Sequence, residues 1–329
     1  MTRSSLSRVS ESWPIPRVID RAEVVRALTL PAAVEAVHVA YATLAQGVAQ
    51  QPRPIGFDLA DGQVHVKGAQ LAPDAPVVVK IASGFPGNAA RGRPTGDGAL
   101  VVLDPHSGAV QALVLDGGWL TDVRTAAATA VSVRALGGPG TRRRLALLGT
   151  GVQADLTLRT LAATGLLPPE VCVWGRTPEA VERLLAPHRG GATSPIAARS
   201  AREAVTGADL VITTTPARVP VVEGEWLEAA ALVVAVGADS VGKRECDAAV
   251  LARATLIVAD SLAQSTSVGE LQHVTPAALA GSVVELPSLL ASAEAALPDG
   301  IRVCDLTGLG AADAAMAGLV LAARTQPHG

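Results

Sequence analysis

The stretch Arg144-Leu-Ala-Leu-Leu-Gly-Thr-Gly-Val-Gln-Ala154 decides the fold. It begins with an apolar run typical of a buried strand and ends where a helical segment with leucines on one face begins. Between them, the first glycine of a Gly-x-Gly-x-x-Ala pattern allows a tight turn, the second lets the backbone approach a pyrophosphate, and the small alanine lets helix and strand pack closely. The pattern predicts a dinucleotide site with contacts from Gly149, Gly151, Val152 and Gln153. The alternative is a turn without a ligand.

Apolar strands and Ala-rich helical segments alternate over residues 143–260. The apolar runs are continuous, which indicates strands covered on both faces and therefore a mostly parallel sheet. The predicted helices span residues 153–164 and 179–185. The predicted strands span residues 144–148, 171–174, 209–215, 231–236 and 254–259, the last closing the series. This βαβ repetition predicts a Rossmann-type domain.

The first 125 residues follow another pattern. A helix predicted at residues 32–44 leads into short apolar segments, among them residues 77–82 and 100–104, which glycine, proline and asparagine interrupt. This arrangement predicts an α+β region with a mainly antiparallel sheet. Residues 310–323 are rich in alanine and are predicted to be helical. The predicted fold class is therefore α/β, with a Rossmann-type parallel sheet domain and a second, α+β domain.

Composition excludes several classes of protein. A length of 329 residues suits two domains, and a formal charge of −3 offers no basic face for nucleic acid. The three cysteines have no metal or disulfide spacing, so we expect no metal site and a reducing compartment. Without a signal-like or membrane-spanning apolar stretch, we expect a soluble, cytoplasmic protein with no membrane partner. The run Arg142-Arg143-Arg144 is interpreted as a solvated loop.

The residues after the second predicted strand select the dinucleotide. An acidic side chain there would bind the ribose 2′-hydroxyl of NAD(H). This chain instead has Gly175-Arg176-Thr177, which offers a guanidinium and a hydroxyl to a 2′-phosphate. We predict a preference for NADP(H), with Arg176 and Thr177 as contacts. The alternative is that Arg176 only stacks on the adenine and that NAD(H) is used.

Five segments together resemble the ornithine cyclodeaminase and mu-crystallin family. They are Lys80-Ile-Ala-Ser-Gly-Phe-Pro-Gly-Asn88, Leu120-Thr-Asp-Val-Arg-Thr-Ala-Ala-Ala128, Gly149-Thr-Gly-Val-Gln-Ala154, Gly237-Ala-Asp-Ser-Val-Gly-Lys-Arg-Glu245 and Asp305-Leu-Thr-Gly308. The resemblance implies a substrate-binding and dimerisation domain of residues 1–125 and 305–329, and a Rossmann domain of residues 126–304. It also implies homodimers whose antiparallel sheets join. Family members include cyclodeaminases, ketimine and 1-pyrroline-2-carboxylate reductases, and an archaeal type of alanine dehydrogenase, so the fold does not select the reaction.

The resemblance assigns roles to three basic residues. Arg53 would bind the substrate carboxylate, for which a bidentate guanidinium is suited; the alternative is a solvated surface arginine. Lys80, at the end of an apolar strand, would bind or polarise the substrate, since a buried ammonium needs a partner. Arg124 would bridge the cofactor phosphate and the substrate; the alternative is an ion pair with Asp122 or Asp116.

Asp239 follows the predicted strand 231–236 at its carboxyl end, where open α/β sheets place their ligand crevice. A carboxylate beside a nicotinamide and an amine can carry protons as carbon changes between amine and imine, and family cyclodeaminases use an aspartate in this Gly-x-Asp slot. The alternative is a helix cap. Lys243 would support the cofactor, and Glu245 would fix the loop. Weaker contacts to the cofactor or the active-site loop are expected from Thr95, Asn88 and Thr307.

The segment His65-Val66-Lys67 departs from the family pattern. Family cyclodeaminases commonly carry on this strand a glutamate that assists the base, followed by a Met-Pro pair. His65 would replace a fixed anion by a group that titrates near neutrality, which makes it a candidate catalytic residue. The alternative is that His65 and Lys67 share an exposed strand face.

Several functions are compatible with these residues. The first is reduction of a small 2-imino acid, a ketimine such as 1-pyrroline-2-carboxylate, with Arg53 and Lys80 on the carboxylate and Asp239 or His65 as proton donor. The second is an ornithine or lysine cyclodeaminase, which releases ammonia and recycles NAD+ internally. Amino acid dehydrogenation and non-catalytic binding of a cofactor or ligand are further alternatives. Each predicts a small amino or imino acid as the partner.

Overall fold

The computed structural model describes residues 15–137, 142–191, 193–292 and 297–323. Two sheets organise these residues: six strands within residues 17–115 form the first sheet, and eight strands within residues 144–305 form the second. All pairings in the second sheet are parallel. The predicted fold class is therefore confirmed.

The six-stranded sheet has the order β1-β6-β5-β4-β3-β2. Its strands are β1 (Arg17–Asp20), β2 (Ile55–Leu59), β3 (Gly62–Ala69), β4 (Val77–Gly84), β5 (Gly96–Leu103) and β6 (Val110–Leu115). β1 joins β6 in parallel, and every other pairing in this sheet is antiparallel. The sheet is thus mainly antiparallel, as the sequence predicts.

Alternation along these strands gives the sheet two different faces. Phe57 and Ile81 point outward and are 53% and 46% exposed. His65, Lys67 and Lys80 point to the other face, and the register of β3 and β4 sets Lys67 directly opposite Lys80. Because side chains alternate between faces, the polar residues singled out in the sequence gather on the inner face of the sheet.

The eight-stranded sheet has the order β13-β12-β14-β11-β10-β7-β8-β9. Its strands are β7 (Arg144–Leu148), β8 (Glu170–Trp174), β9 (Ile196–Ala197), β10 (Leu210–Thr213), β11 (Leu232–Ala235), β12 (Ala254–Ala259), β13 (Ser282–Glu285) and β14 (Ile301–Asp305). The strand order reverses at β7, which is followed by the glycine turn, and such a switch point is the usual ligand crevice. The prediction that residues 254–259 close the series is wrong. β13 and β14 follow, and their charged and polar residues hide the apolar signal.

Ten helices connect and cover the sheets in the described residues. They are α1 (Arg21–Ala27), α2 (Leu30–Ala45), α3 (Trp119–Gly137), α4 (Val152–Ala163), α5 (Pro178–Leu185), α6 (Ala201–Val205), α7 (Ala248–Arg253), α8 (Leu262–Val268), α9 (Leu286–Ala291) and α10 (Gly310–Ala322). α3 leads from the first sheet to the second and packs on α2 and α4, and α10 returns to pack on α2, β3 and β4. Gly310 permits this return, because a Cβ there would lie 2.6 Å from the carbonyl oxygen of Gly68. The C-terminal helix therefore closes over the inner face of the first sheet.

The prediction of a solvated loop is wrong for Arg142. Its guanidinium donates hydrogen bonds to the carbonyl oxygens of Asp209 and Ala230, at 2.5 and 3.0 Å. The carboxylate of Asp209 accepts the backbone amides of Arg143 and Arg144. The carbonyl groups just before β10 and β11 need hydrogen-bond donors, and the Arg142 guanidinium supplies them. Because it reaches inward to these carbonyls, the Arg142 side chain is only 9% exposed.

Two further features bear on the sequence analysis. Within the described ranges, no single helix has both the length and the apolar composition to cross a membrane, while α1 and α2 together, bent by 86°, pass the same test. The thiols of Cys172, Cys246 and Cys304 are free and buried. In the described part of the chain, His, Cys, Asp and Glu side chains form no group of three that could hold a metal ion.

Candidate active site

A cavity of about 490 Å³ lies between the inner face of the first sheet and the carboxyl ends of the parallel strands. β3 contributes His65 and Lys67, the segment around β2 contributes Arg53, and the loop after β11 contributes Asp239. α8 forms part of the wall. An adjoining smaller cavity shares Asp239 and is lined by Arg124 and by the residues that follow β14. The structure thus brings three of the predicted substrate and catalytic residues, Arg53, His65 and Asp239, around one space and sets a fourth, Arg124, beside it.

Lys80 and Arg124 share the carboxylate of Asp313. Lys80 Nζ donates a 2.8 Å hydrogen bond to Asp313 Oδ1, and Arg124 Nε lies 3.2 Å from the same oxygen. Burial, helped by the Arg124 guanidinium, lowers the pKa of Lys80 to about 7. Burial also opposes ionisation of Asp313, but Lys80 and Arg124 outweigh it and hold the pKa of Asp313 below its usual value. With Lys80 protonated, two cations face one carboxylate and leave a positive excess.

The expected alternative partners of Arg124 are engaged elsewhere. Asp116 accepts the backbone amides of Gly118 and Leu120 at the start of α3. Asp122 accepts a 3.0 Å hydrogen bond from the side chain of Gln153. Neither carboxylate pairs with Arg124, which leans over Gly308, where a Cβ would lie 2.4 Å from the guanidinium.

Lys67 is held by main-chain carbonyls. Its ammonium donates hydrogen bonds to the carbonyl oxygens of Thr307 and Gly308, at 3.0 and 2.7 Å, and so ties β3 to the segment after β14. Burial in the cleft and the nearby Arg124 lower the pKa of Lys67. The expected alternative of an exposed strand face is wrong for Lys67 and His65, which share a face that lines the cavity.

His65 has a buried ring nitrogen, Nε2, without a hydrogen-bond partner among the described residues. Burial and the Lys67 ammonium lower the pKa of His65, which favours the neutral imidazole at neutral pH. A neutral imidazole with one unpaired nitrogen is suited to donate to, or accept from, a bound molecule.

Asp239 is paired in the cleft, and its side chain is 45% exposed. Its carboxylate lies 2.5 Å from Lys243 Nζ and 3.0 Å from the Ser240 hydroxyl, which also lies 2.9 Å from Gln63 of β3. Removal from water in the cleft would raise its pKa, but Lys243 and Ser240 outweigh this and hold the pKa of Asp239 below its usual value. Asp239 is therefore ionised at neutral pH, and it does not cap a helix.

Glu245 fixes the loop that carries Asp239, as its sequence position suggests. Its carboxylate accepts the backbone amides of Thr215 and Gly237, each at 2.6 Å. It also accepts the hydroxyls of Thr213 and Thr215 at 2.7 Å. One buried side chain therefore joins the ends of β10 and β11 and sets the direction of the Gly-x-Asp segment.

The glycine turn fits a dinucleotide. Gly149 has φ +125°, and a Cβ there would lie 2.3 Å from the hydroxyl oxygen of Thr214, so the turn requires glycine. Gly151 is the N-cap of α4, makes no side-chain cap, and has open space where a Cβ would be. The first backbone amides of α4 are thus left to a ligand, and a helix N-terminus favours an anion such as a pyrophosphate. Val152, 49% exposed, borders this position.

The predicted selectors of the dinucleotide lie after β8. Arg176 is exposed and forms no hydrogen bond or ion pair among the described residues. Thr177 is the N-cap of α5, but its hydroxyl makes no capping hydrogen bond. Both side chains are therefore available to a ligand that extends from the glycine turn across β8.

Other predicted contacts make internal bonds. The Thr307 hydroxyl and amide donate to Asp260, so this residue faces the smaller cavity mainly through its backbone. Asn88 donates to the carbonyl oxygen of Pro94, and the Thr95 carbonyl oxygen accepts the amide of Phe85. Asn88 and Thr95 therefore shape the loop after β4 and line neither of the two cavities.

Sequence reasoning missed Asp313 and gave Lys67 no role. Asp313 carries no motif signal, because its importance arises only when α10 packs against β4. A signal for Lys67 exists in the composition: only three of the 27 basic residues are lysines. The structure places Lys67 in the wall of the cavity and pairs Lys80 with Asp313 and Lys243 with Asp239.

A model of the ornithine cyclodeaminase/mu-crystallin family matches residues 16–324. The chain belongs to this family. It is 39% identical to a putative dehydrogenase of Rhizobium meliloti over 300 residues, which cover 88% of this chain and 90% of the relative.

Solved structures of family members superpose over nearly the whole chain. An iminosuccinate reductase of Paracoccus denitrificans, in complex with NAD+, has a TM-score of 0.85 at 29% identity and covers 94% of this chain and 96% of its own. An archaeal alanine dehydrogenase dimer with bound NAD has a TM-score of 0.85 at 26% identity, with the same coverages. This member of the ornithine cyclodeaminase/mu-crystallin family is therefore an NAD(P)-dependent enzyme, either an oxidoreductase or a lyase.

Proposed function

We propose that this enzyme reduces a small 2-imino acid, a ketimine such as 1-pyrroline-2-carboxylate. The observation that carries the proposal is the placement of the Lys80, Arg124 and Asp313 cluster beside Asp239, which follows a strand of the sheet that also bears the glycine turn. The positive excess of the cluster suits the substrate carboxylate, as does the Arg53 guanidinium at the cavity. A carboxylate at the same place suits a nitrogen that gains a proton.

In this reaction the C2=N bond becomes a C–N single bond, with C2 gaining a hydride and nitrogen gaining a proton. A reduced nicotinamide, when bound, supplies the hydride. Asp239, ionised because of Lys243, stabilises the protonated imine, which is the more electrophilic form. The unpaired His65 Nε2 is in position to pass a proton to the cavity. Lys80 and Arg53 hold the carboxylate, so that C2 is presented in one orientation.

NADP(H) is the proposed dinucleotide, with NAD(H) as the alternative. The amides after Gly149 and Gly151 would hold the pyrophosphate, and the free Arg176 and Thr177 would bind the 2′-phosphate. Further contacts are proposed from Val152, Gln153, Thr95, Arg124, Lys243 and Thr307. The solved structures that bind NAD support the alternative, NAD(H). The preference between NADP(H) and NAD(H) depends on the Arg176 side chain.

A cyclodeaminase is the second candidate, because Asp239 occupies the Gly-x-Asp slot. Its substrates, ornithine or lysine, carry a second ammonium group. The cavity lining has two cations, Lys67 and Arg53, which would repel that group, and two carboxylates, Asp58 and Asp239, which would attract it. His65 stands on the strand where family cyclodeaminases carry a glutamate, and this difference favours imine reduction, or its reverse as amino acid oxidation, over cyclodeamination.

We also propose a homodimer formed through the outer face of the first sheet. The exposed apolar residues there include Val18, Ile55, Phe57, Leu59, Ile81 and Leu115, each 46% exposed or more. A contiguous apolar face of this kind on a sheet marks a protein interface. Residues 1–125 and 305–329 would then form the substrate and dimerisation domain, with residues 126–304 as the dinucleotide domain.

The proposal is tested by following reduced nicotinamide absorbance with a panel of cyclic and N-linked 2-imino acids. Loss of absorbance with NADPH is the expected result, and a silent panel with both NADPH and NADH would overturn the proposal. In parallel, ammonia is measured from ornithine and lysine with NAD+, where release without net cofactor turnover would establish the cyclodeaminase instead. A non-catalytic binder is rejected if turnover disappears in Asp239→Asn while the dinucleotide still binds.

A further inference from the structure

We infer that Lys67 determines specificity for substrates with a second, side-chain carboxylate, so that the preferred substrates are 2-imino dicarboxylates. This inference rests on the proposed function and names the substrate class of the same site. It begins with the position of Lys67, directly opposite Lys80 on the adjacent strand. Like charges in opposite cross-strand positions destabilise a sheet unless an anion lies near both.

Within the part of the chain that the structure describes, Lys67 differs from the neighbouring lysines in having no carboxylate partner. Lys243 is paired with Asp239, and Lys80 and Arg124 share Asp313. The Asp260 carboxylate accepts the amides of Thr307 and Gly308 and the Thr307 hydroxyl, so it is not a partner of Lys67. Lys67 has carbonyl oxygens as its hydrogen-bond partners and no carboxylate within ion-pair distance in the described residues. Lys67 is therefore the group to which a second carboxylate would bind, besides the one at the Lys80 and Arg124 cluster.

Lys67 also has a donor to spare. An ammonium group carries three N–H bonds, and the carbonyl oxygens of Thr307 and Gly308 accept two of them. The third remains for a molecule in the cavity that Lys67 lines. An ammonium pinned by two carbonyls has little freedom left to lose, so its last hydrogen bond is pre-organised.

Two neighbouring groups complete a binding position for a carboxylate. His65 lies two residues before Lys67 on the same strand face, with Nε2 buried and unpaired among the described residues. Gln264 of α8 lines the same cavity, and its side-chain amide makes no hydrogen bond in the described part of the chain. A carboxylate between these groups accepts from the Lys67 ammonium and from the neutral donors, while the first carboxylate occupies the Arg124 end.

The chemistry is the same as for any imine of the class. A 2-imino dicarboxylate, formed from a 2-oxo dicarboxylate and ammonia with loss of water, would gain at C2 the hydride that a bound reduced nicotinamide supplies, and a proton at nitrogen. The product is a 2-amino dicarboxylate. The second carboxylate takes no part in these bond changes, so Lys67 acts on specificity and not on the chemical step.

The test uses ligands that differ in charge and not in shape. L-aspartate is compared with L-asparagine, and L-glutamate with L-glutamine, as ligands of the enzyme with NADPH, with which they cannot react, by calorimetry. We expect one acid to bind roughly tenfold to a hundredfold more tightly than its amide, the range of a charge-assisted hydrogen bond. Lys67→Gln, which keeps an amide donor for the Thr307 and Gly308 carbonyls, and Lys67→Met should both abolish that preference. The matched control, Arg183→Gln, removes an exposed positive charge of α5 and should keep it.

Two results would overturn the inference. One is that the unaltered enzyme binds both amides as tightly as the corresponding acids, or more tightly. The other is that Lys67→Gln still prefers the acid to its amide. Unchanged NADP+ affinity and an unchanged melting temperature show that the variants are folded. Because binding is measured without turnover, failure of the charge preference is distinct from failure of the proposed function, which a silent imine panel would show. Turnover gives a second reading: imines from oxaloacetate or 2-oxoglutarate should be reduced faster than those from pyruvate, and Lys67→Met should reverse the order.

Discussion

Lys67 and Lys80 lie directly opposite each other on neighbouring antiparallel strands, and Asp313 of α10 neutralises only one of them. The two lysines thus lie on the same sheet face, although their ammonium groups have different partners. This pairing makes the C-terminal helix part of the site, because it delivers the carboxylate that lets Lys80 be buried. It also makes the charge of Asp313 necessary for stability.

Asp313→Asn should destabilise the protein by about 3–5 kcal/mol, because it leaves Lys80 and Arg124 buried without a counter-charge. The measurement is urea unfolding at neutral pH. As a control, Glu182→Gln removes a carboxylate from an exposed ion pair with Arg189 and should leave the midpoint nearly unchanged. Equal midpoints for Asp313→Asn and the unaltered protein would show that the cluster does not need this carboxylate.

The pH dependence of kcat/KM should report Lys80. Its pKa is lowered to about 7 by burial and Arg124, and the protonated form binds the substrate carboxylate. As pH rises through about 7 the ammonium loses its proton, so kcat/KM should fall on the alkaline side. Lys80→Arg keeps a charge at every pH in this range and should flatten that limb. If kcat/KM of Lys80→Arg falls at alkaline pH as it does in the unaltered enzyme, another titrating side chain causes the fall.

Asp239→Asn should lower kcat by about a hundredfold or more, the usual scale for a lost acid or base. The cause is loss of the charge that stabilises the protonated nitrogen, so dinucleotide affinity should remain. Stopped-flow absorbance measures the rate, and fluorescence of bound NADPH measures affinity. Ser240→Ala, which removes a hydrogen bond to the same carboxylate, should have a much smaller effect. Full activity in Asp239→Asn would remove this residue from the reaction.

Arg176→Ala should lower affinity for NADP+ by roughly tenfold or more and leave affinity for NAD+ nearly unchanged, because only the former carries the 2′-phosphate. Titration of both dinucleotides into the same preparations measures the ratio. Arg183→Gln, a charge removal farther along α5, is the control. If the unaltered protein binds NAD+ as tightly as NADP+, the proposed preference is wrong.

Phe57→Asp with Leu115→Asp should convert the proposed dimer to a monomer, since both side chains would place charges on the outer apolar face of the first sheet. Sedimentation velocity gives the mass in solution. Ile196→Asp alters an equally exposed apolar residue on β9 of the other sheet and should preserve the dimer. A monomeric unaltered protein would contradict the proposal directly.

Much of the parallel sheet could be predicted because its strands carry continuous apolar runs, as at residues 144–148 and 254–259. Strands β13 and β14 were not predicted, because their apolar runs are short. Ser282 and Glu285 bound the run of β13, and Arg302 interrupts that of β14. The edge position of β13 and the polar ends of both strands explain these residues physically, but the sequence alone does not reveal them.

The site divides in a similar way. The sequence could identify Gly149, Gly151 and Glu245, because the role of each depends on neighbouring residues. The two glycines form a tight turn, and Glu245 accepts hydrogen bonds from a nearby loop. Asp313 and Lys67 depend on contacts between segments about 240 residues apart in the chain, for which local pattern gives no warning. Arg142 was misjudged for the same reason, since its acceptors lie at the starts of two other strands.

The place of β14 has a consequence for how the protein is made. This strand lies between β11 and β12, although it is translated after both. Until residue 305 leaves the ribosome, β12 and β13 cannot join the strands that carry the glycine turn, and α10 cannot reach the first sheet. The nascent chain therefore keeps two unpaired strand edges in the middle of its larger sheet until β14 has emerged, the stage at which a chaperone would be most needed.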